Sequence, residues 1–225
     1  MKIASVFISK KLEEVSLLSA FCEENKLELE AKSFITFEEI KEDINPNFDI
    51  YFFGSKNAFD FFLKRNISLE NKQIAVIGES TKKHIETLGC EVAFYGKEAG
   101  SPQLVAEEIQ RWLKDRKISF FQSDISNRSI ASYLPENQKE EFVIYRTRSL
   151  CQKLSKSFDL YVFTSPSNVK SFLEQNVLPN EAKVVSWGKS TDSVLKENNI
   201  PIFYTLKKAS LDELVGFIES LLCTI

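Results

Sequence analysis

Small hydroxyl side chains recur where apolar runs of this chain end. Ser55 and Ser165 each follow such a run, and Thr81 and Thr191 come shortly after two others. Hydroxyls beside exposed main-chain amides suit carboxylate or phosphate groups, which accept several short hydrogen bonds at once. We therefore expect these positions to bind an anionic substrate. The candidate binding residues are Ser9, Lys10, Ser55, Lys56, Asn57, Gly78, Ser80, Thr81, Ser123, Ser165, Ser167, Gly188, Lys189, Ser190 and Thr191.

The same side chains have a second interpretation. Serine, threonine and asparagine are preferred at helix N-termini, where a side-chain oxygen accepts a hydrogen bond from a main-chain N–H group. Each residue could therefore be only a helix cap. Repetition of the whole set in two parts of the chain favours a binding role for the set, and both interpretations remain open for its single members.

Several enzyme classes lack their characteristic residues. The chain contains no GxGxxG, GxxxxGK[ST] or GxSxG motif, so the common nucleotide-binding loops and the hydrolase nucleophile turn are missing. His84 is the only histidine, and no second histidine or cysteine cluster accompanies it to form a zinc or iron site. We expect no metal and no cofactor. An enzyme with this inventory would act by holding and polarising its substrate.

The elements that carry these residues occur twice. Residues 49–55 return as 159–165 and residues 74–81 return as 184–191, both at an offset of 110 residues. Each copy reads as a strand, a polar turn, a helix, a second strand, a glycine turn and a second helix. A repeat that contains several such units predicts two similar α/β modules.

Strand and helix patterns alternate along the rest of the chain, which predicts an α/β class with parallel sheets. Parallel sheets bind ligands at the carboxyl ends of their strands, where helix N-termini meet. Two segments instead alternate polar and apolar residues, as strands with one exposed side do: residues 27–36 and 142–147. We expect these two to pair between the modules. A short helix is expected from Ser126 to Leu134, ended by Pro135.

The amino-acid composition bears on the binding partners and the cellular location that we expect. The 225 residues are 43% hydrophobic and 27% charged, with a net charge of −3, which is ordinary globular composition without a basic field for nucleic acid or anionic membranes. The four cysteines are scattered without a CxxC spacing, and the first residues read as a strand rather than a signal peptide. No apolar run reaches the roughly 18 residues of a membrane helix. We expect a cytoplasmic protein with reduced thiols.

Four sets of residues resemble the motifs of one family, uroporphyrinogen-III synthase. Residues 53–58 and 163–169 look like its FTSxxxV element, and 77–81 and 187–191 look like its GxxT turns. Residues 101–104, together with 143–147, look like its VYxT strand. The resemblance covers essentially the whole chain, because the motifs occur in the family's order and spacing.

This resemblance implies a HemD-like fold of two parallel-sheet lobes joined by a two-stranded β linker. It assigns residues 1–31 with 149–225 to one lobe, 39–139 to the other, and 32–38 with 140–148 to the linker. The substrate would lie in the cleft between the lobes. We expect a flexible monomer, for which hydroxymethylbilane synthase is the one candidate partner, in transient contact.

The implied activity is cofactor-free cyclisation of hydroxymethylbilane to uroporphyrinogen III, with loss of water and inversion of ring D. Tyr145 matches the family's cleft tyrosine, thought to help the hydroxymethyl group leave as water, and Thr81 and Thr191 match its turn threonines. Tyr145 could instead be an aromatic packing residue between strands. The side chains available to add positive charge are Lys10, Lys56, Arg128, Arg146 and Lys189.

Two other functions use the same features. A non-catalytic two-lobed protein could bind a small polycarboxylate or another anion at the same helix N-termini. A degenerate nucleotide-binding transferase is the other alternative, and the lack of a glycine-rich phosphate loop argues against it.

Overall fold

The structure is a computed structural model that describes residues 3–97 and 101–223. The chain divides into two compact units. The first unit is the described part of Met1–Thr36 with Arg148–Ile225, and the second is the described part of Phe37–Thr147. The first unit is therefore built from both ends of the chain.

Strands and helices alternate through most of the chain, as the sequence predicts. The strands are β1 (Ser5–Ile8), β2 (Glu28–Ala31), β3 (Ile35–Glu39), β4 (Ile50–Phe53), β5 (Gln73–Val76), β6 (Val92–Tyr95), β7 (Ile118–Ser123), β8 (Lys139–Ser149), β9 (Leu160–Phe163), β10 (Lys183–Ser186) and β11 (Tyr204–Thr205). The α-helices are α1 (Ser16–Glu24), α2 (Lys56–Leu63), α3 (Glu79–Thr87), α4 (Pro102–Leu113), α5 (Pro166–Leu173), α6 (Lys189–Glu197) and α7 (Leu211–Leu222). Three short 3₁₀ segments are Leu12–Glu14, Ala131–Tyr133 and Glu136–Gln138.

Each unit contains one sheet, and the two strand orders correspond. The first-unit order is β11-β10-β9-β1-β2, and the second-unit order is β6-β5-β4-β7-β8-β3. The neighbouring strands β1 and β9, β9 and β10, β4 and β5, and β4 and β7 all run parallel. Thus β7 and β8 occupy the positions that β1 and β2 occupy in the other sheet. The predicted α/β class with two similar parallel sheets is confirmed.

The central strands are buried on both faces, and this follows from their sequences. In β4, Tyr51 and Phe53 join one apolar cluster, whereas Ile50 and Phe52 join a second one on the other face. In β9, alternate residues are divided between two clusters in the same way. A strand covered on both sides needs an unbroken apolar run, because successive side chains point to opposite faces.

One predicted strand is interrupted. We expected a strand over residues 27–36, but β2 ends at Ala31 and β3 begins at Ile35. Phe34 explains the break, because its ring is fully buried against Phe7 and Phe172. Its main-chain N–H donates to Asn168 Oδ1 at 2.8 Å, and its carbonyl accepts from Ser171 Oγ at 2.6 Å. Side chains of α5 therefore bind both main-chain groups of Phe34, and the Leu150 N–H also donates to the Phe34 carbonyl at 2.9 Å.

Two other expectations need correction or completion. The helix expected from Ser126 to Leu134 is only the 3₁₀ turn Ala131–Tyr133, and Arg128 before it has a φ of 52°, which no right-handed helix allows. The two alternating segments contribute β3 and β8, which are neighbours in the second sheet.

Among residues 3–97 and 101–223, no helix has both the length and the apolar content needed to cross a membrane.

Gly216 provides a stability test of α7. It lies inside this helix, is exposed, and a Cβ added there would meet nothing within 4 Å. We expect Gly216→Ala to raise the free energy of unfolding by about 0.5–1 kcal/mol, because alanine loses less backbone entropy in a helix. Urea unfolding measures this. The matched Gly96→Ala should destabilise, since its Cβ would lie 2.7 Å from the Ile77 carbonyl oxygen.

Glu213 provides a pH test of the same helix. Its carboxylate accepts main-chain N–H bonds from Lys207 at 2.8 Å and Lys208 at 2.6 Å. Partial burial raises the pKa of Glu213, but these hydrogen bonds outweigh it, and the pKa lies below its ordinary 4.5. The stabilisation is thus complete above pH 4.5 and is lost as the pH falls through the lower folded-state pKa.

We therefore expect Glu213→Ala to cost about 1 kcal/mol at pH 7, the net value of such hydrogen bonds. The difference from the unsubstituted chain should shrink on acidification to pH values below the folded-state pKa. Urea unfolding at several pH values measures it, and a difference that is constant with pH would contradict the assignment.

Candidate functional site

Ser9 and Thr164 lock the carboxyl ends of two neighbouring strands in the first unit. The Thr164 main-chain N–H donates to Ser9 Oγ at 2.8 Å, and Thr164 Oγ1 donates to the Ser9 carbonyl at 2.8 Å. Their two hydroxyl oxygens are 3.2 Å apart, and Ser9 is 1% exposed. The Ser9 hydroxyl is therefore engaged in joining β1 to β9.

Ser55 and Ser165 are N-caps of equivalent helices in the two units. Ser55 Oγ accepts from the Ala58 N–H at 3.1 Å at the start of α2, and Ser165 Oγ accepts from the Asn168 N–H at 3.2 Å at the start of α5. Both serines therefore cap their helices, as the capping interpretation predicts, and their binding role stays a prediction. Asn168 also donates through its side chain to Ser165 at 3.1 Å, which fixes the turn in the first unit.

Thr81 and Thr191 differ from the serines. Each lies in the first turn of its helix, and each is preceded by a glycine at the N-cap, Gly78 or Gly188. Thr81 is 6% exposed and Thr191 is 2% exposed, and neither hydroxyl is hydrogen-bonded within residues 3–97 and 101–223. Neither oxygen is among the fully buried atoms without a partner in that part of the chain, so both hydroxyls reach solvent. Both hydroxyls are thus unengaged donors beside the positive end of a helix dipole.

The remaining candidates surround these helix starts. Ser123 is the last residue of β7 and is half-buried. The first turns of α2, α3, α5 and α6 hold Asn57 and Ser167, which are half-buried, and Ser80, Ser190, Lys56 and Lys189, which are exposed. The structure therefore gathers the candidates at the carboxyl edges of two sheets, one set in each unit.

The cationic side chains are less uniform. Lys10 is half-buried, lies 3.6 Å from Glu14 in an ion pair, and has its ammonium 5.7 Å from the centre of the Trp187 ring. Arg128 lies 3.5 Å from Glu141, and Arg146 is exposed. Lys10 and Arg128 thus already have carboxylate partners within their own units.

Tyr145 lies at the carboxyl edge of the second sheet. It is opposite Ser123 in the register of β7 and β8, and it is 6% exposed. Its ring stacks on Phe61 with centroids 5.0 Å apart and an interplanar angle of 7°, and Phe37 packs edge-on at 5.7 Å. Its hydroxyl lies 3.2 Å from Ser55 Oγ. The ring packs as the packing interpretation predicts, while the hydroxyl is held at a helix N-terminus.

A small cavity adds residues that the motifs did not single out. A space of about 90 Å³ lies beside Gly54 and Ile77 at the ends of β4 and β5, and Gln122 and the 126–131 loop close it. It has room for about three waters, or for a group the size of a carboxylate. Gln122 is 8% exposed and donates to Glu141 Oε2 at 2.6 Å. Gln122 follows an apolar run in the sequence, and that pattern did not indicate that it lines a cavity.

The site has no evident metal ligands. Across the part of the chain that the structure describes, no three histidine, cysteine, aspartate or glutamate side chains lie close enough to hold a metal ion. His84, the one histidine, has its Nε2 2.6 Å from Asp60 Oδ1 and so links α3 to α2.

Comparisons with known proteins agree on one family. The model of the family described as uroporphyrinogen-III synthase HemD matches residues 20–216. None of the curated protein sequences compared with the chain matches it significantly.

Two solved structures share the fold. The uroporphyrinogen-III synthetase of Helicobacter pylori 26695 aligns with a TM-score of 0.70 at 21% identity, covering 98% of this chain and 100% of that one. A mutant uroporphyrinogen III synthase of Thermus thermophilus aligns with a TM-score of 0.66 at 14% identity, covering 97% and 98%. Because the family model matches most of its length, and because the strand-end motifs occur in both units, the chain belongs to the uroporphyrinogen-III synthase HemD family.

Proposed function

We propose that this chain carries out its family's reaction in tetrapyrrole biosynthesis with Tyr145 as the proton donor. The substrate is hydroxymethylbilane, and the product is uroporphyrinogen III, formed with loss of water and inversion of ring D. The observation that carries the proposal is the Tyr145 hydroxyl, held 3.2 Å from Ser55 Oγ by a ring that stacks on Phe61.

The first step breaks the bond between the hydroxymethyl carbon and its oxygen. The bonding electrons leave with the oxygen, which takes a proton and departs as water. Tyr145 donates that proton, and Ser55 Oγ lies within reach to orient the phenol. The proton released when the attacked pyrrole regains its aromatic form after ring closure restores the phenol. The carbon becomes a cation that the neighbouring pyrrole stabilises, so the step needs only a weak acid.

The second step decides the product. The cation closes the ring spontaneously in water to the uninverted isomer, so the protein must hold ring D for attack through its substituted carbon and a spiro intermediate. It must also keep water from the cation. Such control comes from positioning and exclusion of solvent. The mainly apolar surroundings of Tyr145 suit this task, since Phe37 and Phe61 cover its ring.

Carboxylates of the substrate need donors that folding leaves unused. Thr81 and Thr191 meet this condition, because both hydroxyls lack partners among the described residues and lie at helix N-termini. Lys56 and Lys189 follow the starts of α2 and α6 and add exposed positive charge. We infer that Thr81 and Lys56 in the second unit, and Thr191 and Lys189 in the first, are donors available to acetate and propionate side chains.

The proposal also covers the cellular location and the oligomeric state of the protein. Cys22, Cys90, Cys151 and Cys223 are all free thiols, which suits the reducing cytoplasm. We infer that the protein acts there as a monomer. Transient contact with hydroxymethylbilane synthase would shorten the time in which the unstable bilane is free in water.

Removal of the Tyr145 hydroxyl tests the proton-donor role. We expect Tyr145→Phe to keep the stacked ring and the fold but to lower kcat by roughly 100-fold, the lower end of the usual range for general acids. The measurement uses freshly generated hydroxymethylbilane, followed by oxidation and chromatographic separation of isomers I and III.

The matched control is Tyr51→Phe. Tyr51 is a buried tyrosine of the same unit and lies beside Lys72. The Lys72 amine donates to the Phe48 carbonyl, which precedes β4, so this environment lies at the opposite end of the strand from Ser55. The Tyr51→Phe substitution should leave kcat unchanged. If both variants retain full activity, Tyr145 acts by packing alone. If the unsubstituted protein yields only isomer I at the rate seen without protein, the chain binds an anion without catalysing this reaction.

Removal of the threonine hydroxyls tests substrate binding. Thr81→Val and Thr191→Val keep the side-chain shape and should each raise KM by about 10-fold with a smaller effect on kcat, as loss of a hydrogen bond to a charged group predicts. Thr87→Val is the control, because Thr87 lies at the other end of α3 and donates to the His84 carbonyl. A KM unchanged in both variants would remove the threonines from the binding site.

A further inference from the structure

Helix α2 contacts Tyr145 and its strand at three levels. Ser55 caps the N-terminus of the helix and lies 3.2 Å from the Tyr145 hydroxyl. Phe61, near the C-terminal end, stacks on the Tyr145 ring. Arg65 follows just after the helix and reaches the main chain of β8 at Ile144, the residue before Tyr145. One helix therefore holds the hydroxyl, the ring and the backbone of the same tyrosine.

Arg65 makes its bonds with main-chain carbonyls. Its Nη2 donates to the carbonyl of Ile40 and, at 3.3 Å, to that of Ile144, and its Nη1 donates to the carbonyl of Glu42 at 2.8 Å. Ile40 and Ile144 are themselves joined, because the Ile40 N–H donates to the Ile144 carbonyl at 3.1 Å. The guanidinium thus binds the main chain of both strands at the point where Ile40, the residue after β3, pairs with Ile144 of β8.

This arrangement is costly as well as stabilising. Arg65 Nε is fully buried and has no hydrogen-bond partner within the described structure. A buried donor without a partner is destabilising, and such groups are rare in folded proteins. No ion pair with a carboxylate involves Arg65 among residues 3–97 and 101–223, and the side chain as a whole is half-buried, so carbonyl dipoles and solvent stabilise its charge. Stability alone gives a weak reason for an arginine here.

We propose that Arg65 is a positioning residue for Tyr145. This inference rests on the proposed function. By fixing the Ile144 carbonyl against the end of α2, Arg65 sets where β8 lies relative to that helix, and hence the distance between the Tyr145 hydroxyl and Ser55. A misplaced donor loses much of its effect, since displacements of about 1 Å can cost roughly 100-fold in rate. The planar fork of arginine reaches several carbonyls at once, which a lysine ammonium on its flexible stem does less well.

The test compares Arg65→Met with the control Arg116→Met. Arg116 belongs to the same unit and also donates to two main-chain carbonyls, Leu113 at 3.2 Å and Trp112 at 2.7 Å, but it contacts nothing around Tyr145. We expect Arg65→Met to lower kcat between about 10-fold and 100-fold with KM nearly unchanged. Arg116→Met should leave both constants unchanged. Circular dichroism and thermal melting establish that each variant is folded.

Two further variants separate positioning from general damage. In the Tyr145→Phe background, Arg65→Met should have less than about a 2-fold further effect on kcat, because residues that act through one group are not additive. Arg65→Lys should recover part of the lost rate, and it carries the test if Arg65→Met does not fold. Equal losses in the presence and absence of the Tyr145 hydroxyl would overturn the proposal.

A measurement without substrate keeps the two proposals distinct. Carbon-13 labelling of the tyrosine rings gives an NMR signal for Tyr145, identified by its loss in Tyr145→Phe. Arg65→Met should shift or broaden this signal, and Arg116→Met should not. If the unsubstituted protein makes no isomer III, the proposed function fails while the signal still decides whether Arg65 positions Tyr145. An unchanged signal together with an unchanged kcat refutes the positioning role.

Discussion

The structure depends on the burial of two central strands, β4 and β9, on both of their faces. Each is a run of four fully buried residues whose side chains are divided between two apolar clusters. A one-residue slip would move each side chain of the strand into the other, differently packed cluster, and close-packed interiors tolerate such changes of shape poorly. The second residue after each run is Ser55 or Ser165, and it lies at the carboxyl edge of the sheet, where it caps the next helix.

At those edges, the hydroxyl groups divide into those used by the fold and those left unused. Ser9 and Thr164 bind each other across two strands, and the serine caps accept main-chain N–H bonds. Thr81 and Thr191 occupy helix turns that glycine caps begin, so no side chain before them takes the amides. A polar set that looks uniform in sequence therefore has two physical roles, because a hydroxyl bonded within the fold is a poorer donor to a ligand.

A protein that controls a reactive cation needs few ionisable groups. Tyr145 packs against aromatic rings and a neutral serine, and the next residue along the strand, Arg146, is exposed. Strong acids or bases beside the cation would offer competing nucleophiles or proton acceptors. In the proposed mechanism, a helix cap, a stacked ring and an arginine fork hold one weak donor in place, which would favour one ring closure over the other.

The sequence by itself determined the alternation of strands and helices, the duplicated modules and the positions of the strand ends, because burial on two faces requires unbroken apolar runs and glycine or serine marks where they stop. The resemblance of residues 143–147 to the family's VYxT strand singled out Tyr145, whose role as a proton donor stays a proposal. Only the tertiary structure decided that Phe34 interrupts a predicted strand, that Gln122 closes a cavity and that Arg65 holds the Ile144 carbonyl. These features depend on residues far apart in the chain: Phe34 is bound by Asn168, and Arg65 reaches Ile144. Local patterns record which residues are apolar or turn-forming, but they do not record which distant side chain satisfies a given main-chain group.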